Sequence, residues 1–425
     1  MKIDNDLREN AKEASDALKI TSFNGTILKS PRSGKTSVMI SYIDYLVLKN
    51  PDLKVLWLCY DKDEQDHQLD AEFKFWESER LLSNITKVIY KSTKLFKIDL
   101  SIYDLIVYNE CHTITENISN YLESFTYNSR IIGLTGTYPN NLNKQQYLKQ
   151  IGLDNIIFSY SFSEAVDDDI ISDYNIIVDN LGLSTEKNIK IEYHNKITNQ
   201  PASFYVSEQS MIDGYINKLS DIDGELSPYN IERKTIQEKI DSYKPYKEEN
   251  EKNQLVLRNL YQRNNVLVDI SKPLWEKKKK ISFSLMQASN SFDTKIKFAQ
   301  NFIINNPDKR VLIFVSNTDI SDKISKYSYN SKTSKQFLED FQSNKINHIV
   351  LIEKAGTGFN FHNIDVCIVL SVNSSNTSII QKLSRGLVKD SENPLSVYIP
   401  YTNSIELKWI KEALINLDPN KIKIN

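Results

Sequence analysis

Short apolar runs alternate with amphipathic stretches from the N-terminus to about residue 180. The runs Thr26 to Leu28, Val55 to Tyr60, Lys87 to Tyr90, Leu105 to Tyr108 and Ile131 to Thr135 are predicted strands. Runs this short, with helical patterns between them, predict a parallel sheet with crossover helices. The rhythm returns from about Arg310, with predicted strands at Val311 to Ser316, Ile349 to Glu353, Val366 to Ser371 and Leu395 to Ile399. Two doubly wound α/β domains follow from this pattern. The stretch from Glu208 to Leu285 is instead polar and rich in Lys and Glu. Its apolar residues fall at helical spacing, at Ile231, Ile236 and Ile240, then at Leu255, Leu257 and Leu260. That predicts a helical insertion, a hairpin standing out from the body, interrupted at Pro245 and Pro273. The expected division is residues 1–182, 183–290 and 291–425.

Composition narrows the picture. A chain of 425 residues, 40% hydrophobic and 25% charged, can build two or three ordinary cores. No apolar run approaches the roughly 20 residues a membrane span needs, and the polar, acidic start predicts no signal peptide. Cys59, Cys111 and Cys367 lie far apart, without metal-type spacing, which predicts buried thiols in a reducing setting. A net charge of −2 excludes a wholesale basic coat, so any polyanion site must be a local cleft or patch. The densest positive run, Lys277 to Lys280, has two readings: a phosphate-contacting patch or a solvated helix face. Abundant Asn, Ile and Lys suggest an AT-rich genome and a cytoplasmic protein of a bacterium or phage-infected cell.

Candidate chemistry begins at Ser30-Pro31-Arg32-Ser33-Gly34-Lys35-Thr36, between the first predicted strand and a helix running from Lys35 past Leu46. Loop and helix N–H groups in that setting cradle phosphates, a lysine neutralises β/γ oxygens, and a threonine hydroxyl ligates Mg²⁺. The full pattern has glycine at position 29, where this chain has Lys29. A second string, Tyr103 to His112, is an apolar strand closing on Asn109 and Glu110. There an NTPase places one side chain on Mg²⁺ through water and the next on the attacking water. His112 either links this site to the second domain or is a surface histidine. A third string, Leu134-Thr135-Gly136-Thr137, puts small hydroxyl residues at a strand's C-terminal end, where open α/β sheets hold ligands.

In this order the strings resemble the superfamily 2 helicases and translocases, in the DExH branch that includes phage-type DNA helicases and restriction-enzyme motor subunits. Leu7-Arg8 with Lys12-Glu13-Ala14 is similar to the family's N-terminal segment. Ser33 to Thr36 resembles motif I, Asn109 to His112 motif II, and Leu134 to Thr137 motif III. Further on, Val311 to Ser316 resembles motif IV, Glu353 to Asn360 motif V, and Gln381 to Gly386 motif VI. The resemblance implies two RecA-like domains in tandem, binding ATP and Mg²⁺ and acting on nucleic acid, DNA in preference to RNA, with no membrane involved. It implies nucleotide contacts from Arg32, Ser33, Gly34, Lys35, Thr36, Gly358 and Asn360, and a metal held by Thr36, Asn109 and Glu110. Catalysis would rest on Lys35, Glu110, Gln381 and Arg385. Coupling to nucleic acid would pass through His112, Thr135, Thr137, Ser316 and Thr357.

Four positions depart from the family. Asn109 and Asn360 replace aspartates, Val388 replaces the second motif VI arginine, with Lys389 beside it, and Ala11 stands where a glutamine reads adenine. A working but atypical ATPase is the first reading, since Lys35, Thr36, Glu110, Gln381 and Arg385 are all kept. A catalytically weakened or inactive nucleic-acid-binding or assembly module on the same scaffold is the second, and Asn109 and Val388 favour it. A small-molecule P-loop enzyme leaves the second half of the chain unexplained.

Overall fold

The computed structural model describes residues 6–62, 64–123, 129–139, 141–195, 199–243, 251–330, 332–333, 335–352, 361–372, 379–380, 382–383, 386–387 and 393–425. The first sheet comprises β1 (Gly25–Lys29), β2 (Val55–Cys59), β3 (Ile85–Ile89), β4 (Leu105–Asn109), β5 (Arg130–Thr135) and β6 (Ile156–Tyr160). All described pairings are parallel, in the order β3-β2-β4-β5-β1-β6. The sheet is covered on both faces, so its strands read as continuous apolar runs. In β2 every residue is buried; Val55, Trp57 and Cys59 enter one core cluster, and Leu56 and Leu58 the other. That division is the two-residue period of a pleated strand. All three cysteines are free and buried.

The second sheet is also parallel. It contains β7 (Tyr174–Asn180), β10 (Val311–Val315), β11 (Ser328–Tyr329), β12 (His348–Ile352), β13 (Val366–Val369), β14 (Leu395–Tyr401) and β15 (Ile422–Ile424). Its order is β11-β12-β10-β13-β14-β7-β15. Strand β7 lies within the stretch assigned from sequence to the first domain, yet it pairs with β14 from Leu395↔Tyr174 to Tyr401↔Asn180. The chain thus crosses to the second sheet upstream of residue 174, ahead of the expected boundary at 182. An antiparallel hairpin, β8 (Ile189–Asn195) with β9 (Gln200–Val206), then opens the intervening segment. It exposes Tyr193, Phe204 and Tyr205, with the Tyr193 and Phe204 rings 5.8 Å apart edge to face.

Two long helices follow, of 36 residues (Glu208–Tyr243) and 41 residues (Glu251–Ser291). At 1.5 Å per residue the longer one reaches about 60 Å. Residue 233 meets 264, 232 meets 263 and 223 meets 278, so the helices run antiparallel as a hairpin. Ile236, Ile240, Leu257 and Leu267 close its seam. Pro245 lies outside the described residues. The predicted break at Pro273 is not there, and Pro228 sits inside its helix as well. Proline removes the N–H that would serve the carbonyl four residues back. For Pro273 that residue is the exposed Asp269, whose carbonyl water can serve instead. Within the lysine run, Lys278 pairs with Asp223 and lies 5.3 Å from the Trp275 ring, while Lys277, Lys279 and Lys280 are exposed. Among the described residues no helix is long and apolar enough to cross a membrane.

Candidate active site

Parallel pairing brings the C-terminal ends of β2, β4, β5 and β1 side by side along one edge of the first sheet. This is where open α/β sheets gather ligand-binding groups. The loop after β1 turns through Arg32 at φ 66° and Gly34 at φ 88°, both left-handed, before entering α1 (Lys35–Lys49). Gly34 suits that turn, because a Cβ there would stand 2.8 Å from the Ser37 hydroxyl and strain the backbone. Buried Ser33 donates to the Ser30 carbonyl at 2.7 Å. The Ser30 hydroxyl is buried and has no hydrogen-bond partner among the described residues. Thr36 occupies the first turn of α1, among N–H groups that lack intrahelical acceptors.

Lys35 donates from Nζ to the Lys29 carbonyl at a long 3.3 Å. Burial lowers its pKa, opposed by the negative charge of Glu110. An unsatisfied hydroxyl, a left-handed glycine, helix N–H groups and a half-committed ammonium together fit a phosphate chain. Among the described residues no cluster of three His, Cys, Asp or Glu could hold a metal. A Mg²⁺ here would therefore draw on Thr36, the strand-end side chains and the phosphates themselves.

Lys29, at the glycine position of the pattern, turns its side chain out of the loop. It is fully buried, donates to Asn10 Oδ1 at 2.7 Å, and lies 5.0 Å from the Tyr160 ring and 5.6 Å from that of Phe158. Burial, reinforced by the charges of Lys35 and Arg8, pushes its pKa down to about 7. Asn10 and the buried Ala11 lie on the helix Glu9–Ile20, so the N-terminal segment that resembles the family's packs beside β1.

Beyond β4, Glu110 adopts φ 51°, a conformation rare outside glycine and asparagine. That turn brings its Oε2 within 3.2 Å of Nδ1 of buried His112. The same nitrogen lies 2.8 Å from Thr135 Oγ1. The Thr135 hydroxyl donates to the Thr137 carbonyl at 2.8 Å and accepts from the Thr137 N–H at 3.2 Å. With its proton committed, Thr135 must accept from His112, which assigns the histidine proton to Nδ1. His112, Thr135 and Thr137 are thus joined by hydrogen bonds across two strand ends, and the Glu110 carboxylate lies against the same ring nitrogen of His112 at 3.2 Å. Gly136 closes the third string against the phosphate loop; a Cβ there would lie 3.2 Å from Pro31 Cδ.

Asn109 is also engaged. Its Nδ2 donates to Glu64 Oε1 at 2.8 Å. Burial pushes Glu64 up to about 7, against the pull of its Tyr60, Trp57 and Asn109 donors. Sequence reasoning missed both Glu64 and the Lys29–Asn10 pair. The signal available for Glu64 was the acidic run Tyr60-Asp61-Lys62-Asp63-Glu64 directly after an apolar strand.

Ser316 is exposed just past β10. Thr357, Gly358, Asn360, Gln381, Arg385, Val388 and Lys389 lie outside the described residues. Their neighbours Ile379, Ile380, Leu383 and Leu387 are buried in the second core at helical spacing. Ile380 also lines a cavity of about 640 Å³ that joins His112, Gly136 and Thr137 of the first domain to Ala413 and Leu417 of the second.

This architecture resembles the Pyrococcus furiosus Hef helicase domain, with 13% identity, 97% of this chain and 99% of that one covered, and a TM-score of 0.50. It also resembles LlaBIII, an ATP-dependent Type ISP restriction-modification enzyme solved bound to DNA, with 12% identity, 98% of this chain covered and a TM-score of 0.55. This chain spans 31% of the length of LlaBIII. The fold resembles that of helicase and restriction-enzyme motor domains. No family model matches the chain, and a comparison with curated proteins finds no match. At such identities the likeness concerns fold alone.

Proposed function

We propose that the chain is an ATP-dependent helicase or translocase of superfamily 2 type, acting on nucleic acid and on DNA in preference to RNA. The observation that carries this reading is the alignment of Lys35, Glu110, His112 and Thr135 on adjacent strand ends. Lys35 and the N–H groups of the loop hold the phosphates, Thr36 serves the metal, and Glu110 holds the attacking water in line. Bound Mg²⁺ would supply further charge neutralisation on the phosphates. The family resemblance assigns the remaining catalytic roles to Gln381 and Arg385, which lie outside the described residues. Contacts to the track are mainly to backbone phosphates, with exposed Tyr193, Phe204 and Tyr205 offering faces on which bases can stack. Both solved relatives support the reading through their own descriptions, one a helicase domain and the other an ATP-dependent enzyme bound to DNA.

Asn109 favours a second reading, a non-hydrolysing clamp on the same scaffold. Strand-separation and triplex-displacement assays with ATP distinguish the two. ATP-driven removal of a strand is expected, whereas binding without displacement at any ATP concentration supports the clamp.

The line through His112 makes a separable prediction. His112→Ala is expected to lower stimulation of phosphate release by DNA more than basal release, because it cuts Glu110 off from Thr135. Equal loss in both rates would reduce His112 to a structural role. The exposed lysines of the helical hairpin make another. Each lysine that touches a phosphate steepens the log–log salt dependence of binding by roughly 0.7 to 0.9. Replacing Lys277 to Lys280 with alanine is expected to weaken DNA binding and flatten that slope while basal ATPase stays near wild type. Unchanged affinity and slope would make the run a solvated face.

A further inference from the structure

Asn109 stands at the end of β4, where a nucleotide hydrolase of this architecture needs a carboxylate, and it is hydrogen-bonded to one. Glu64 follows β2, the neighbour of β4, and opens the short turn Glu64–Gln68. It is only 8% exposed. Besides the 2.8 Å bond from Asn109, its carboxylate accepts from Trp57 Nε1 at 3.1 Å and from the Tyr60 N–H at 2.6 Å. Its own N–H is held by Asp61 Oδ1 at 3.0 Å. Among the described residues each hydrogen bond to the carboxylate comes from a donor, which favours the anion, while burial and the nearby charge of Glu110 oppose it.

The pair explains the residue at 109. An aspartate there would set two carboxylates within hydrogen-bond distance, and like charges that close repel strongly. Asparagine supplies a donor instead, and its Oδ1 makes no hydrogen bond among the described residues. A carboxylate offers about four lone-pair sites, of which three are used here. The remaining site can take a metal-bound water, though not a second strong donor or a bidentate metal.

We infer that the acidic function of the β4 strand end has moved one strand over. Glu64 supplies the negative charge on the Mg²⁺ side of the site, acting through water, and Asn109 is the positioning residue that orients it. This rests on the ATPase reading. The asparagine that favours a dead site is then half of a relocated acid.

The test is the gain in affinity that Mg²⁺ gives a fluorescent ATP analogue, measured by equilibrium binding on the full chain with melting temperatures alongside. Glu64→Gln is expected to leave Mg²⁺-free binding near wild type and to cut the Mg²⁺-dependent gain by about 10- to 100-fold, the usual cost of losing a group that orients metal ligands. Adding Asn109→Asp to Glu64→Gln returns a carboxylate to the pair with the hydrogen bond reversed, and should recover most of the gain. Asn109→Asp alone is expected not to lower the Mg²⁺ requirement, because the charge is already present. This single variant keeps the inference testable if Glu64→Gln fails to fold. A folded Glu64→Gln protein that keeps the full gain, a folded double variant without recovery, or an Asn109→Asp protein needing about tenfold less Mg²⁺ would each overturn it. A wild-type chain that binds no nucleotide would overturn the ATPase reading and this inference together, whereas the variant outcomes strike the inference alone.

Discussion

Lys35→Ala is expected to abolish ATP hydrolysis. Lys35 stands with its ammonium at the phosphate loop, whereas Lys29 spends its own on Asn10. Removing a preorganised charge from a water-poor site costs more than it would in solvent, about 10²- to 10³-fold for even a single neutral donor. Nucleotide affinity should fall as well, because the phosphates carry the charge that Lys35 balances before any chemistry begins. Phosphate release and fluorescent-nucleotide binding check both halves. Turnover at the wild-type rate would mean that the phosphate site lies elsewhere.

Glu110→Gln is expected to separate binding from turnover. Glutamine keeps the shape and can still reach His112, but it takes up a proton from water poorly, so the rate should fall by about 10²- to 10⁴-fold. Binding of ATP should stay within a few-fold of wild type, since the proposed role of Glu110 is to act on the water rather than on the phosphates. The left-handed backbone at Glu110 is unchanged by this substitution, so a large loss of stability is not expected. Parallel loss of affinity and turnover would make the carboxylate a structural partner of His112.

The strands buried on both faces were legible because they are unbroken apolar runs: β2, β4, β5, β10 and β13 fall within a residue or two of their expected positions. Strands β6, β7 and β15 were not. Strand β6 is exposed or half-exposed at four of its five positions and β15 is three residues long, so neither carries enough periodic signal to stand apart from a loop. In β7 the consecutive apolar residues Ile176, Ile177 and Val178 blur the alternation of buried and exposed positions that the fold shows. The same limit hid the change of sheet, because a strand's sequence says which of its faces are buried but not which sheet it joins. Pro273 misled for a different reason, since a local rule about helix breaking yields when the freed carbonyl can meet water.

At the site, what was legible is contiguous in sequence. The phosphate loop, the pair Asn109-Glu110 and the threonines after β5 each sit within a few residues, and the fold brings them to one edge. What was hidden depends on separate elements meeting in the fold. Asn109 and Glu64 are 45 positions apart, and Lys29 and Asn10 are 19 apart. Each looked like a defect when read alone, an acid lost and a glycine replaced. In the fold, both are polar groups with partners.

The most direct measurement is the rate of phosphate release from ATP and Mg²⁺ by the wild-type chain, with and without single- and double-stranded DNA, against Lys35→Ala as background. Release well above that background, raised further by at least one form of DNA, is the expected result. Wild-type release that is no faster than that of Lys35→Ala on every DNA would contradict the account.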